Sequence, residues 1–255
     1  MQTQINNNIS ISKIGLGTVK FGRNTQVKYP NKFNLPTDKE ISELLELAFS
    51  FNINTIDTAP SYGTSQERLG KLLPYSRDNW VIISKAGEEF INNQSYYNFD
   101  ADFISLSLDK TLKTLKTDYI DIFLIHSDGN DLNIAQNNKL WDVLNKRKAL
   151  GDIKAFGVSS KTSNGGLECL KKSDLAMIEL NDSSQNLLDY AYDNNKNIIL
   201  KKIFNSGHLN NASSIQQAYK KAFSHPAVNS AIIGTINKMH LHNNVNEFEH
   251  YLYNR

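Results

Sequence analysis

Four side chains in the first half of the sequence have the types and spacing from which proton chemistry can be built. Asp57 and Tyr62 lie five residues apart in DTAPSYGTSQERLG (57–70), directly behind the apolar run INTI. Lys85 closes the apolar run WVIISK (80–85), and His126 closes DYIDIFLIH (118–126). A phenol has an ordinary pKa of about 10, so at neutral pH it holds a proton that it gives up only when the phenolate is stabilised. A nearby Lys85 ammonium would supply that stabilisation, and Asp57 paired with the lysine would keep it charged and in place. An imidazole orients a carbonyl oxygen toward the phenol or relays a proton. The set protonates an oxygen, which suits carbonyl reduction, but the hydride must come from a cofactor because no side chain supplies one. Each residue also has a plain structural reading: Asp57 capping a turn, Tyr62 covering a rim, Gly63 supplying a positive φ. A lone Lys or His at a strand end is more often a rim residue than a reactive one. Four together at the ends of neighbouring strands reverse those odds.

The four converge only if their strands run parallel, and the rest of the chain predicts that they do. Short apolar or β-branched runs recur along it: KIGLGT (13–18), INTIDT (53–58), WVIISK (80–85), DYIDIFLIH (118–126), KAFGVSS (154–160), LAMIEL (175–180), NIILKK (197–202) and SAIIGT (230–235). Most are continuous rather than alternating, as in strands covered on both faces. Helical periodicity fills the gaps. TDKEISELLELAFSFN opens with a Thr37–Glu40 capping box behind Pro36 and places Ile41, Leu44, Leu45 and Ala48 on one stripe. DFISLSLDKTLKTLK spaces Ile104, Leu108, Leu112 and Leu115 by threes and fours. Eight strand–helix repeats without a composition break predict an α/β fold, a (β/α)8 TIM barrel in a single domain over residues 1–255, whose strand C-termini share one face. The rival is a doubly wound open sheet, whose G-x-G-x-x-G fingerprint is poorly matched by Gly15, Gly17 and Gly22.

Bulk properties exclude other classes. Lys and Arg outnumber Asp and Glu by only 28 to 26, so no strong field argues for nucleic acid or an anionic membrane. The N-terminal MQTQINNNISISKIG lacks the pattern of a signal peptide, and no run approaches about 18 consecutive apolar residues, which predicts a cytoplasmic, non-membrane protein. The single cysteine, Cys169, fits a reducing compartment and reads as an inert packing residue. The histidines at 208, 225, 240, 242 and 250 have no metal-ligand spacing, and Gly165-Gly166 reads as a helix opening.

These motifs together resemble the aldo-keto reductases, in the compact bacterial form. The likeness is carried by IGLGTVKFG, NINTIDTAPSYGTSQERLG, VIISKAG, LDKTLKTLKTDYIDIFLIHSD, GDIKAFGVSS and SAIIGTINKMHLHNNV, and so runs over nearly the whole chain. The resemblance implies Tyr62 as general acid, Lys85 and Asp57 as its tuning partners, and His126 as the residue that orients the substrate. It also implies direct hydride transfer from NADPH, with NADH possible, to a small-molecule aldehyde or ketone. The cofactor positions it implies are Gly17, Thr18, Asp57, Ser159, Ser160, Lys201, Lys202, Gly234, Thr235, Asn237, His240 and Asn244. At the adenosine end, the Thr235 hydroxyl and a helix N-terminus suit an anion. His240 stands where many relatives place an arginine, and Lys238 or another basic residue is a candidate to compensate. Asn244 matches an asparagine facing the adenine. At the nicotinamide end, Ser159-Ser160 replaces a Ser-Asn pair, Met177 a glutamine, and Lys201 or Lys202 a stacking aromatic. Larger members extend beyond the eighth helix into a closing loop, whereas this chain stops near that helix's end. An open substrate mouth follows as an expectation, with specificity in loops 22–36, 86–100 and 127–133. Tyr29, Phe33, Tyr96, Tyr97 and Phe99 would either line an apolar pocket or pack these loops down. No nucleic-acid or membrane partner is expected, and the chain would be a monomer or small homo-oligomer. Two rival functions stay open: a nicotinamide-binding regulatory or scaffold barrel, and a Schiff-base lyase using Lys85 or Lys202.

Overall fold

The computed structural model describes residues 2–209 and 211–254. All eight predicted strands form and close into one parallel barrel. They are β1 (Ile14–Gly17), β2 (Thr55–Asp57), β3 (Val81–Ala86), β4 (Ile120–His126), β5 (Ile153–Ser159), β6 (Leu175–Ile178), β7 (Asn197–Leu200) and β8 (Val228–Gly234). Around the barrel lie α1 (Asp38–Ser50), α2 (Ser65–Leu72), α3 (Ala101–Leu115), α4 (Asn138–Ala149), α5 (Ser163–Lys171), α6 (Gln185–Asp193), α7 (Ala212–Ala222) and α8 (Lys238–Tyr253). Strands adjacent in sequence pair, and β8 pairs β1 to close the ring.

The helices form for the reasons the sequence shows. In α1 the Thr37 side chain accepts from the Glu40 backbone N–H while the Glu40 carboxylate accepts from the Thr37 N–H, and Ile41, Leu44, Leu45 and Ala48 are the buried stripe. In α3 the fully buried set is Ile104, Leu108, Thr111 and Leu115. Leu112 is only partly buried, because at about 100° per residue it lies well around the cylinder from that line. Gly165 and Gly166 do lie in the first turn of α5, where a Cβ on Gly165 would come 2.2 Å from Asp131 Cβ.

The barrel interior is a stack of inward side chains. Val81, Ile83, Ile122, Leu124, Ala155, Leu175, Met177, Ile199 and Ile232 form one cluster, while the helices pack on the outward residues of the same strands. Strand side chains alternate with period two. Continuing the inward series from 81 and 83 reaches Lys85; from 122 and 124 it reaches His126, from 155 Ser159, from 199 Lys201 and from 232 Gly234. The polar residues thus form the top layer of an otherwise apolar interior.

Two hairpins decorate the ring, and neither was expected. The first, Gln2–Asn6 with Ile9–Ser12, sends Ile5, Ile9 and Ile11 into the interior cluster at the end of the barrel opposite that top layer. The second, Glu88–Ile91 with Gln94–Tyr97, grows from loop 86–100. Its turn residues Asn92 and Asn93 both have positive φ (51° and 62°), the requirement of a type I′ turn. Loop 22–36 carries no strand or helix beyond the end of the short Val19–Gly22 turn, as expected, and loop 127–133 enters a one-and-a-half-turn helix, Asp131–Gln136. No described helix is long and apolar enough to cross a membrane, and no cluster of potential metal ligands occurs among the described residues.

Candidate active site

The top layer opens into a cavity of about 830 Å³ lined by residues from every barrel strand end and from loop 22–36. Register sets the spacing on its floor. Gly234, Gly17 and Asp57 sit in one row across β8, β1 and β2, while His126, Ser159 and Met177 form another across β4, β5 and β6.

Asp57 and Lys85 form a buried ion pair, with residue exposures of 5% and 1%. Lys85 Nζ also donates to the Thr58 carbonyl at 2.9 Å. Burial pulls the lysine pKa below its ordinary value, while Asp57 works in the opposite direction. Tyr62 ends a single 3-10 turn, Pro60–Tyr62, that follows β2. Gly63, with φ of +62°, turns the chain back toward α2, and a Cβ there would lie 2.1 Å from the Gly22 carbonyl oxygen. The glycine is therefore required by the turn that aims the phenol. Tyr62 Oη donates to Asp57 Oδ2 at 3.5 Å, and Lys85 Nζ lies over the ring, 4.7 Å from its centroid.

This geometry differs from the sequence expectation in one respect. Lys85 spends its charge on Asp57 and makes no hydrogen bond to the phenol oxygen, so burial and the Asp57 carboxylate raise the Tyr62 pKa well above 10.

His126 stands across from Tyr62, ring centroids 6.1 Å apart and nearly perpendicular. Its Nδ1 pairs with Glu88 Oε2 at 2.8 Å. Sequence reasoning missed Glu88: it lies outside every strand run, two residues beyond Ala86, which the β3–β4 register pairs with Ile125 next to His126. Burial opposes its ionisation, yet hydrogen bonds from His126, Ser95 and Ser61 hold the carboxyl far below the usual range. The His126 pKa is lowered, by burial first and by Lys85 and Lys201, against the pull of Glu88.

Of the expected cofactor positions, Gly17, Asp57, Ser159, Ser160, Lys201, Lys202, Gly234, Thr235, His240 and Asn244 line the cavity. Two do not. Thr18 is fully buried behind the wall, where its hydroxyl donates to the Asp57 carbonyl at 2.9 Å and accepts from Ser65 at 2.8 Å. Asn237 is the N-cap of α8, its side chain accepting from the Met239 and His240 N–H groups. Both act on the shape of the site and lie outside the cavity. Thr235 Oγ1 accepts from the Asn237 N–H at 3.0 Å. Lys238 pairs with Glu43 on α1 at 2.5 Å. Asn243, not singled out from the sequence, lines the cavity beside His240 and Asn244.

The two lysines after β7 part company. Lys201 points inward, donates to Ser159 Oγ at 2.8 Å and the Ser160 carbonyl at 2.9 Å, and is brought down to about 7 by burial and by Lys202 and Lys85. Lys202, at φ 57°, turns to the rim and pairs with Glu179 at 2.7 Å. Among the aromatics, Tyr29, Phe33 and Tyr97 line the cavity. Phe99 packs its edge against Gly87 and the core, and Tyr96 is half exposed, so these two belong to the loop-packing reading. Arg23 ties loop 22–36 down by donating to the Ser61 carbonyl at 3.1 Å and stacking on Phe90 at 3.4 Å. Cys169 is buried with its thiol pushed up to about 12, an inert packing group as expected.

The family model described as "Aldo/keto reductase family" matches residues 13–221. The chain belongs to the aldo/keto reductase family. An aldo-keto reductase structure from Pseudomonas aeruginosa is 39% identical and superposes with a TM-score of 0.89, covering 98% of this chain and 95% of that one. The holo form of a Bacillus halodurans aldo-keto reductase, 17% identical, shares the fold with a TM-score of 0.80 over 99% of this chain and 95% of that one. Among curated relatives, the oxidoreductase YqkF of Bacillus subtilis is 29% identical over 67% of this chain, and the D-threo-aldose 1-dehydrogenase of a Pseudomonas species 28% identical over 79%. The chain spans 52% of the length of the first and 68% of the second.

Proposed function

We propose that the protein reduces an aldehyde or ketone to an alcohol with NADPH or NADH, Tyr62 serving as general acid. The observation that carries this reading is the meeting of Asp57, Tyr62, Lys85 and His126 from three consecutive strands at the floor of one cavity. Family membership supports the oxidoreductase class, and so do the activities for which relatives are named, among them an NADH-specific methylglyoxal reductase of Escherichia coli.

The residues present fit a nicotinamide dinucleotide. Eight lysine and arginine side chains line the cavity against three carboxylates, Asp57, Glu88 and Glu179, a surplus suited to a polyanion in a chain whose net charge is only +2. Gly17 and Gly234 keep the wall between β1 and β8 thin, since a Cβ on Gly234 would meet Tyr29 Oη at 3.4 Å. His240, Asn243 and Asn244 would take the adenosine end beside α8, and Lys201 with Ser159 and Ser160 the nicotinamide end. When bound, the dihydronicotinamide supplies the hydride.

The chain's own work is with the proton. Tyr62 keeps its proton through the physiological range and releases it to an oxygen that is gaining negative charge. As it leaves, the Lys85 ammonium beneath the ring is the positive charge that the phenolate meets, and Asp57 keeps that ammonium from drifting. His126 closes the opposite side and fixes where the oxygen-bearing carbon sits. The Schiff-base alternative has less support, because the ε-amino groups of Lys85 and Lys202 are both engaged by carboxylates.

Tyr62→Phe removes the proton and leaves the cavity wall intact. Carbonyl reduction is expected to fall by about 10²–10⁴-fold, with NADPH affinity within about twofold of wild type, since the hydroxyl is not among the proposed nucleotide contacts. Trp80 and Trp141 do not line the cavity, so binding is better followed by the nucleotide's own emission than by tryptophan quenching. Retained turnover in this variant, or no saturable nucleotide binding by the wild type, overturns the reading.

A further inference from the structure

Three of the lysines lining the cavity, Lys85, Lys201 and Lys202, come from the ends of barrel strands, and they differ in what balances their charge. Lys85 is paired with Asp57 and Lys202 with Glu179. Among the described residues no carboxylate forms an ion pair with Lys201. Its Nζ makes two hydrogen bonds, to Ser159 Oγ at 2.8 Å and to the Ser160 carbonyl at 2.9 Å. An ammonium has three N–H donors, and the third has no acceptor here among the described residues. A neutral amine has two N–H groups and a lone pair, which matches the two acceptors with no donor left over. Burial favours that uncharged form. So do the neighbouring charges of Lys202 and Lys85, against the pull of Asp57 and Asp131, and the pKa comes down to about 7. The remaining tetrahedral position at Nζ, where the lone pair sits, meets no partner among the described residues, and Lys201 borders the cavity.

We propose that Lys201 Nζ is a nucleophile that captures an aldehyde as an imine when the nicotinamide end of the cavity is empty, so that aldehyde and nucleotide exclude one another there. The lone pair forms the C–N bond to the carbonyl carbon while the carbonyl π electrons move to oxygen, which takes one of the two amine protons. The C–O bond then breaks, the hydroxyl leaves as water with the second amine proton, and the C=N bond remains. Amine and aldehyde give imine and water, with no oxidant or reductant. A protonated imine keeps one N–H, for which Ser159 Oγ and the Ser160 carbonyl are acceptors already in place. Neither Lys85 nor Lys202 competes for this role, since a carboxylate holds each as an ammonium without a free lone pair. The exclusion half of the proposal rests on the nucleotide placement given above; the covalent site stands without it.

Pyridoxal 5′-phosphate is a suitable probe, because its aldehyde gives a coloured imine and its phosphate suits a cation-rich cavity. At pH 7 about half of Lys201 is free amine, against on the order of one in 10³ of a lysine at its ordinary pKa. The whole protein without nucleotide is mixed with an equimolar amount of the probe at pH 7, reduced with borohydride to fix the adduct, and mapped by peptide mass spectrometry. Lys201 should carry at least about tenfold more label than any other lysine. Saturating NADPH, its binding followed separately by its own emission, should remove most of that label, and Lys201→Met should lose the imine absorbance.

Label spread over exposed lysines, with Lys201 no more modified than the rest, overturns the proposal. Wild type alone gives that result, so it holds even where Lys201→Met fails to fold. Dominant label on Lys201 that bound NADPH leaves in place upholds the covalent site and overturns the exclusion half. Dominant label on Lys201 in a protein that binds no NADPH upholds the covalent site and counts against the carbonyl-reducing reading.

Discussion

Replacing Lys85 by methionine tests whether the buried ion pair is a structural unit as well as a proposed catalytic one. Methionine keeps most of the stem length and removes the ammonium. Asp57, 5% exposed, is then left with one hydrogen bond from Tyr62 at 3.5 Å, and the Thr58 carbonyl loses its 2.9 Å donor. Breaking a buried pair by deleting one partner costs about 3–5 kcal/mol, because the remaining charge has no compensation. For a chain of this length about 2 °C of melting temperature goes with each kcal/mol, so Lys85→Met should melt about 6–10 °C below wild type. The carboxylate, not the lost stem contacts, is responsible. Asp57→Leu combined with Lys85→Met should therefore recover most of the loss, since an apolar pair of similar volume tolerates burial. The assay is urea unfolding followed by far-ultraviolet circular dichroism, with melting as a second measure, and it requires no activity. A Lys85→Met protein within about 2 °C of wild type, or a double variant no more stable than the single one, refutes the reasoning.

Further outcomes are expected. Lys201 has a folded pKa of about 7 against 10.5 for a free lysine, so between those values the unfolded chain binds more protons and stability climbs with pH. The climb is at most about 1.4 kcal/mol per pH unit, and Lys201→Met should flatten it in urea titrations at pH 7, 8 and 9. Gly157→Ala places a Cβ 1.9 Å from the Leu175 carbonyl oxygen between β5 and β6, and should cost about 1–3 kcal/mol in the same assay. Gly234→Ala meets nothing closer than Tyr29 Oη at 3.4 Å, so it should leave stability nearly unchanged and weaken nucleotide binding. His240→Arg should raise the NADPH-to-NADH affinity ratio by about tenfold, the scale of a charge-assisted contact to phosphate, whereas Lys238→Ala should leave that ratio unmoved because Lys238 is engaged by Glu43; calorimetric titration checks both.

What could be read in advance was whatever depends on short stretches of chain. Each barrel strand was visible because a strand covered on both faces needs an uninterrupted apolar run, and α1 because its capping box and buried stripe lie within one helix. The separation of Lys201 from Lys202 needed the structure: once Ile199 is seen to face inward, counting by twos selects Lys201. The N-terminal hairpin was harder. Ile5, Ile9 and Ile11 are three apolar residues among polar ones, too few to signal a strand until the open end of a barrel gives them something to cover.

The sequence by itself determined the barrel and the strand ends at which Asp57, Lys85 and His126 appear, because alternation and hydrophobic runs are local and a closed parallel sheet follows from repeating them. Only the tertiary structure decided the electrostatics. Whether Lys85 serves the phenol or the carboxylate depends on where three side chains settle in space, and burial pushes the Tyr62 pKa in the direction opposite to the one its charged neighbour suggested. The partnership of Glu88 with His126 is likewise invisible in the chain, since 38 residues separate them and only the pairing of β3 with β4 brings carboxylate and imidazole within 2.8 Å.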